Sequence, residues 1–159
     1  MKILIMGLPG SGKTTLAEAL ARELRCVLFN ADDIRKNINK DLGFTKEDRI
    51  EQATRMGHLC SIASKWGAHV LADFVCPIPE CRDAFGADYT IWVDRIKVGR
   101  FEDTNKMFVP PAKYNLRITG TFDNCYPGYH AEELAKLIRG YRHKSTSIVD
   151  VEEMFHIEP

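Results

Sequence analysis

Eight residues constrain this chain more than any others: Gly7-Leu8-Pro9-Gly10-Ser11-Gly12-Lys13-Thr14. They fit G-x-x-x-x-G-K-[ST] at every position, directly after an apolar run (Lys2–Met6) and directly before a helical pattern (Lys13–Leu24). That context identifies a phosphate-binding P-loop. Gly7, Gly10 and Gly12 permit backbone conformations closed to other residues, so successive N–H groups can converge on one anion. The helix that starts at Lys13 adds the positive end of its dipole. Lys13 is then expected to reach the β- and γ-phosphates of ATP, and Thr14 to offer its hydroxyl to Mg2+. Pro9, Ser11 and Thr15 complete the expected nucleotide contacts.

Further apolar, β-branched runs recur at Cys26–Phe29, His69–Val75, Tyr89–Val93 and Leu116–Thr119. Helical patterns lie between them. Leu16, Ala17, Leu20 and Leu24 share one face of the first helix. Thr45 and Asp48 form a capping box for a helix running to about Trp66, where Gly67 can stop it. Pro79–Phe85 and Tyr129–Arg142 read as two more helices. Alternation of strand and helix predicts an α/β fold, a three-layer α/β/α sandwich around a five-stranded parallel sheet. No linker or repeat divides the 159 residues, so one domain is expected, with 143–159 as a C-terminal tail. That tail can dock on the body or on a second copy, as in a homodimer.

Charge excludes some functions. Twenty-two basic and 22 acidic side chains cancel, so no global field draws this chain to nucleic acid or an anionic membrane. No apolar stretch approaches the roughly 20 residues of a membrane span. The five cysteines show no CxxC pair and the five histidines are scattered, which predicts free thiols, a cytoplasmic location and no structural metal cluster.

A P-loop alone does not separate switch, motor and kinase. No NKxD-like guanine-reading stretch is present. Asp32-Asp33, just after the second strand, places carboxylates at the sheet edge, where one can orient Mg2+ or accept a hydroxyl proton. The alternative is that Asp32 only caps the helix continuing through Ile34 and Ile38.

From Lys2 to Phe85 the chain resembles the adenylylsulfate kinases, which phosphorylate the 3′-hydroxyl of adenylyl sulfate with MgATP in sulfate assimilation. The family's Asp-Gly-Asp-Asn-x-Arg is matched by Asn30-Ala31-Asp32-Asp33-Ile34-Arg35. Its Leu-Asn-x-Asp-Leu-Gly-Phe is matched by Ile38 to Phe44, and its Asp-Arg-x-Glu-Asn by Asp48 to Gln52. The resemblance implies a P-loop kinase in which Lys13, Asp32 and Arg35 are catalytic, with Asp32 beside Mg2+ and the attacking hydroxyl. It implies that Arg35 and Arg49 grip the acceptor's phosphosulfate, that Phe44 stacks on its adenine, and that Asn39 and Gln52 help position it. Cys76, Pro77 and Ile78 would line the same pocket.

The chain also departs from that pattern. Asn30 stands where the family has Asp, and Asp73 stands near the phosphates where it has a small or hydroxyl residue. Asp73 is either a second Mg2+ anchor or the mark of a different acceptor. Most of a long basic lid is missing, and "GRFEDTNKMFVPPAKYNLRIT" stands in its place. Arg100, Lys106 and Lys97 are therefore expected to supply the lid's charge, Arg100 also being placed to pack on the ATP base. Three functions follow: an adenylyl sulfate kinase, a P-loop kinase with another acceptor (nucleoside, nucleotide, polynucleotide end or sugar), or a nucleotide-binding protein with weak catalysis.

Overall fold

The computed structural model describes residues 1–67, 69–120, 127–141 and 149–151, and at 127–129 and 149–151 the backbone only. Strand β1 (Lys2–Met6) lies at the centre, and its side chains alternate between two cores. Ile3 and Ile5 pack with Leu16, Leu20, Leu134 and Ile138 from helices α1 (Lys13–Leu24) and α6 (Pro127–Gly140). Leu4 and Met6 face the other way, toward α2 (Ala31–Asn37), α3 (Lys46–Ser64) and α4 (Pro79–Phe85). Burial on both faces is why the strand reads as a continuous apolar run, and it makes the molecule the expected three-layer sandwich.

Strands β2 (Val27–Asn30), β3 (Val70–Asp73), β4 (Tyr89–Val93) and β5 (Leu116–Ile118) lie where the sequence predicted, within two residues at each end. The sheet order is β2-β3-β1-β4-β5-β6 and every pairing is parallel. The sixth strand, β6 (Val149–Val151), corrects the expected five. Part of the C-terminal segment docks on the body beside β5, as one of the two arrangements left open by the sequence; the rest of the tail and Cys125 fall outside the described residues.

Capping follows the sequence closely. Thr45 and Asp48 close their reciprocal box at the start of α3, with Asp48 N donating to Thr45 Oγ1 at 3.1 Å. One helix was not foreseen: α5 (Glu102–Met107), six residues in the stretch that replaces the lid. Among the described residues, no helix is long and apolar enough to cross a membrane.

The topology fixes where a ligand can sit. From β1 the chain crosses to β2 at one edge, and from β3 it crosses back to β4 on the opposite side of β1. The crevice beyond the carboxyl ends of β1 and β3 is therefore the switch point at which open α/β sheets bind ligands.

Candidate active site

A cleft of about 700 Å³ opens at that switch point. Its floor is the P-loop: Pro9, Gly10, Gly12, Lys13, Thr14 and Thr15. Gly7 and Ser11 belong to the loop but not to the cleft lining. At Gly7 (φ 150°) a Cβ would lie 2.4 Å from the Val93 carbonyl oxygen, so glycine is required for the loop to pass β4. Gly12 (φ 94°) provides the left-handed turn from which α1 begins. Ser11 is fully buried, and its carbonyl accepts from Arg95 Nη1 at 3.2 Å. Arg95 Nε also reaches the Gly120 carbonyl, tying the P-loop to the end of β5, a role nothing in the local sequence signalled.

Lys13 is 8% exposed and donates to the Leu8 carbonyl at 3.0 Å, inside its own loop. Burial lowers its pKa from the ordinary lysine value, while Asp73 and Asp32 pull it back up. The ammonium is thus held in place with two carboxylates near it.

Asp32 lines the cleft from the first turn of α2. It does not cap that helix. Asn30 does, its Oδ1 accepting from Asp32 N and Asp33 N at 3.0 and 3.1 Å, which removes the bland reading of Asp32. Asp73, at the end of β3, is 2% exposed and accepts from Thr14 Oγ1 at 2.7 Å and Asn30 Nδ2 at 2.8 Å. Burial raises its carboxyl above the usual range, against the opposing pull of Thr14, Lys13 and Asn30.

The far wall is cationic and aromatic. The Arg35 and Arg49 guanidinium carbons stand 4.7 and 5.6 Å from the Phe44 ring centroid. Arg35 Nη1 donates to the Gly43 carbonyl and Arg49 Nε to the Phe44 carbonyl, so both side chains pin the turn that presents the ring. Phe44 remains 62% exposed, leaving apolar surface for a base. Burial and the adjacent Arg49 lower the pKa of Arg35, against the opposing pull of Asp32 and Asp48.

Gln52 lines the cleft too, but its amide is spent internally: Nε2 donates to the Ala31 carbonyl and Oε1 accepts from Asn39. Three expected pocket residues lie elsewhere. Asn39 is 3% exposed beneath the wall, bonded to Gln52 and Arg55. Ile78 is in the core and precedes α4. Lys106 is paired with Glu102 on the outer face of α5 (2.7 Å). Lys97 is paired with Asp94.

Cys76 and Pro77 form the remaining edge, where the backbone turns left-handed at Cys76 (φ 49°). The Pro77 carbonyl accepts from Val109 N at 2.8 Å, anchoring the exit of the lid-replacing segment to the loop between β3 and α4. Its entrance is anchored as well. Asn105 exchanges hydrogen bonds with Gly99 N and O (2.8 and 3.0 Å), and a Cβ on Gly99 would meet Pro9 at 3.0 Å. Arg100 is thereby laid across the P-loop, 3.7 Å from where a Cβ on Gly10 would project. Phe101, Asp103 and Thr104 close this side of the cleft, with Thr104 and Asp103 both accepting from Arg49. The acidic first turn and basic last turn of α5 are the sequence signal that could have revealed this short wall.

Comparison with known proteins agrees with this geometry. The family described as adenylylsulphate kinase matches residues 1–93. Adenylyl-sulfate kinases of Gloeothece citriformis and Bacillus velezensis are each 40% identical to the chain, over 86 and 84 residues. Those matches cover 51% and 50% of this chain, and 49% and 43% of the relatives. The chain thus spans about half the length of the curated relatives it matches. Among solved structures, an APS kinase of Mycobacterium tuberculosis in complex with AMPPNP and APS superposes with a TM-score of 0.74 at 22% identity, over 87% of this chain and 96% of that one. A shikimate kinase of Aquifex aeolicus shares the fold at a TM-score of 0.54 and 17% identity, over 88% of this chain and 97% of that one. The P-loop, the Asp32–Arg35 helix and the Phe44–Arg49 wall all fall within the matched half, and by that match the chain belongs to the adenylylsulphate kinase family.

Proposed function

We propose that the chain transfers the γ-phosphate of ATP to the 3′-hydroxyl of adenylyl sulfate, giving 3′-phosphoadenylyl sulfate and ADP. One observation carries this reading: a single cleft joins a triphosphate cradle to a wall with two arginines and an exposed aromatic ring, and Asp32 lines it too. Guanidinium forks suit the phosphosulfate of the acceptor, and Phe44 offers a face for its adenine. The names and matched residues of the relatives support the same acceptor.

In this reading the P-loop amides and Lys13 hold the β- and γ-phosphates, and Arg100 lies over them from the opposite side. Asp32 takes the proton of the incoming hydroxyl. Arg35 and Arg49 fix the acceptor so that the hydroxyl meets the phosphorus in line, which is where most of the rate gain of phosphoryl transfer arises. Mg2+ fits the donors present: Thr14 Oγ1, Asp32 and Asp73 are hard oxygen ligands. An ion of this kind keeps several waters and is shared with the substrate phosphates. When bound, it would neutralise charge on the transferring group. A cytoplasmic setting accords with the use of ATP and with four free cysteines among the described residues.

Asp73 favours a second reading, a P-loop kinase with a different acceptor, because the carboxylate brings negative charge near the phosphates. A coupled assay for ADP release across adenylyl sulfate, nucleosides, nucleotides, polynucleotide ends and sugars decides between them. Release that requires adenylyl sulfate and is lost in Lys13→Ala and Asp32→Ala is the expected result. Release with another acceptor alone replaces the first reading by the second, and release with none leaves a nucleotide holder.

A further inference from the structure

Asn30 ends β2, Asp73 ends β3, and the two are register partners in adjacent parallel strands. The Asn30 amide is used at both ends. Its oxygen caps α2, the helix that carries Asp32 and Arg35, and its nitrogen donates to Asp73 Oδ2 at 2.8 Å. The same Asp73 oxygen accepts from Thr14 Oγ1 at 2.7 Å. A carboxylate this buried needs such donors, because its charge is poorly tolerated away from water without them. Asp and Asn have the same size and cap helices about equally well. The carboxylate can therefore stand on either strand of this pair while the amide stands on the other.

We propose that Asn30 and Asp73, partners across the β2–β3 register, are positioning residues acting as one unit, in which the Asp73 carboxylate aims the Thr14 hydroxyl while the Asn30 amide holds that carboxylate and fixes the start of α2. The proposal rests on the P-loop kinase reading but not on the identity of the acceptor. Each single exchange breaks the unit. Asp73→Asn removes the charge that holds Thr14. Asn30→Asp sets two carboxylates side by side with no donor between them. Asn30→Asp/Asp73→Asn restores one carboxylate, one amide donor and an acceptor for Thr14, with the α2 cap kept throughout.

The test is Mn2+ titration by electron paramagnetic resonance of the full chain with a non-hydrolysable ATP analogue and no acceptor. Each single variant is expected to weaken Mn2+ binding about tenfold or more, the scale of losing a hydrogen bond to a charged group. The double exchange should return affinity to within about threefold of the starting protein, a coupling that independent sites do not give. Analogue binding in EDTA should change less than about threefold in Asp73→Asn, which a general collapse of the P-loop would not allow. Mn2+ affinity untouched by Asp73→Asn overturns the proposal, and so does a double exchange no tighter than Asp73→Asn alone. The second comparison stands even if Asn30→Asp fails to fold. Absence of turnover with adenylyl sulfate would overturn the acceptor assignment and leave this result intact.

Discussion

Asp103 Oδ2 lies 3.3 Å from Arg49 Nη2, so a carboxylate of the chain itself rests on one of the two guanidinium groups that line the cleft. The arginine side chain is 10% exposed and the aspartate 68%. With the aspartate largely in water the pair is still well screened, and it is worth about 1 kcal/mol. Under the proposed function an anionic acceptor would displace this carboxylate at a modest cost. With adenylyl sulfate as the proposed acceptor, Asp103→Asn should lower its KM roughly two- to fivefold with kcat little changed. Arg49→Ala should raise that KM by ten- to a hundredfold, on the order expected for losing a charge-assisted contact. Steady-state kinetics with ATP saturating checks both. An Asp103→Asn enzyme with an unaltered KM would place the acceptor's anion away from Arg49.

Asp73 links the site to stability. Its carboxyl is held above the ordinary value of 3.8 because burial outweighs Thr14, Lys13 and Asn30. A folded value above the unfolded one means that ionisation costs stability. The cost is absent below the unfolded value and grows as pH rises toward the folded one. Asp73→Asn is free of it. The variant should therefore gain Tm relative to the parent protein as pH rises from about 4 to about 7.5, while it loses metal–nucleotide affinity. Calorimetric melts across that range are the check. A Tm difference that stays flat with pH would mean that Asp73 is not penalised by burial.

Which parts of the molecule were legible in the sequence follows from how local their causes are. The P-loop, the Thr45–Asp48 cap and the β1 core run are set by residues within a few positions of one another, and each lies where the pattern put it. Arg35, Phe44 and Arg49 were singled out by resemblance, and they line one cleft with the P-loop. Asn39 and Gln52 came from the same motifs, yet their amides face each other in a buried contact that no linear spacing announces. The capping role fell to Asn30 rather than Asp32, because either residue type serves at that position and only the turn geometry decides. The wall made by α5 was hidden for a similar reason. Its helix is short, and its place depends on long-range contacts from Arg49 and from the Pro77 carbonyl.

Gly57 sets two effects of opposite sign against each other. It lies within α3, where replacing glycine by alanine favours the helix by about 1 kcal/mol. In this fold a Cβ there would stand 2.6 Å from the Phe85 carbonyl oxygen and 3.0 Å from its Cα, both backbone atoms of α4. Backbone cannot rotate away, so α3 and α4 would have to part, and overpacking of that kind costs about 1–3 kcal/mol. The clash should win. Gly57→Ala is expected to lower Tm by up to about 8 °C, the range that a net loss of up to roughly 2 kcal/mol gives at this chain length. Gly140→Ala is the matched control, since Gly140 ends α6 and an added Cβ there meets nothing within 4 Å. Its Tm should hold or rise slightly. Thermal melts of the two variants side by side separate packing from propensity: a Gly57→Ala protein as stable as Gly140→Ala would show that α3 and α4 can part at little cost.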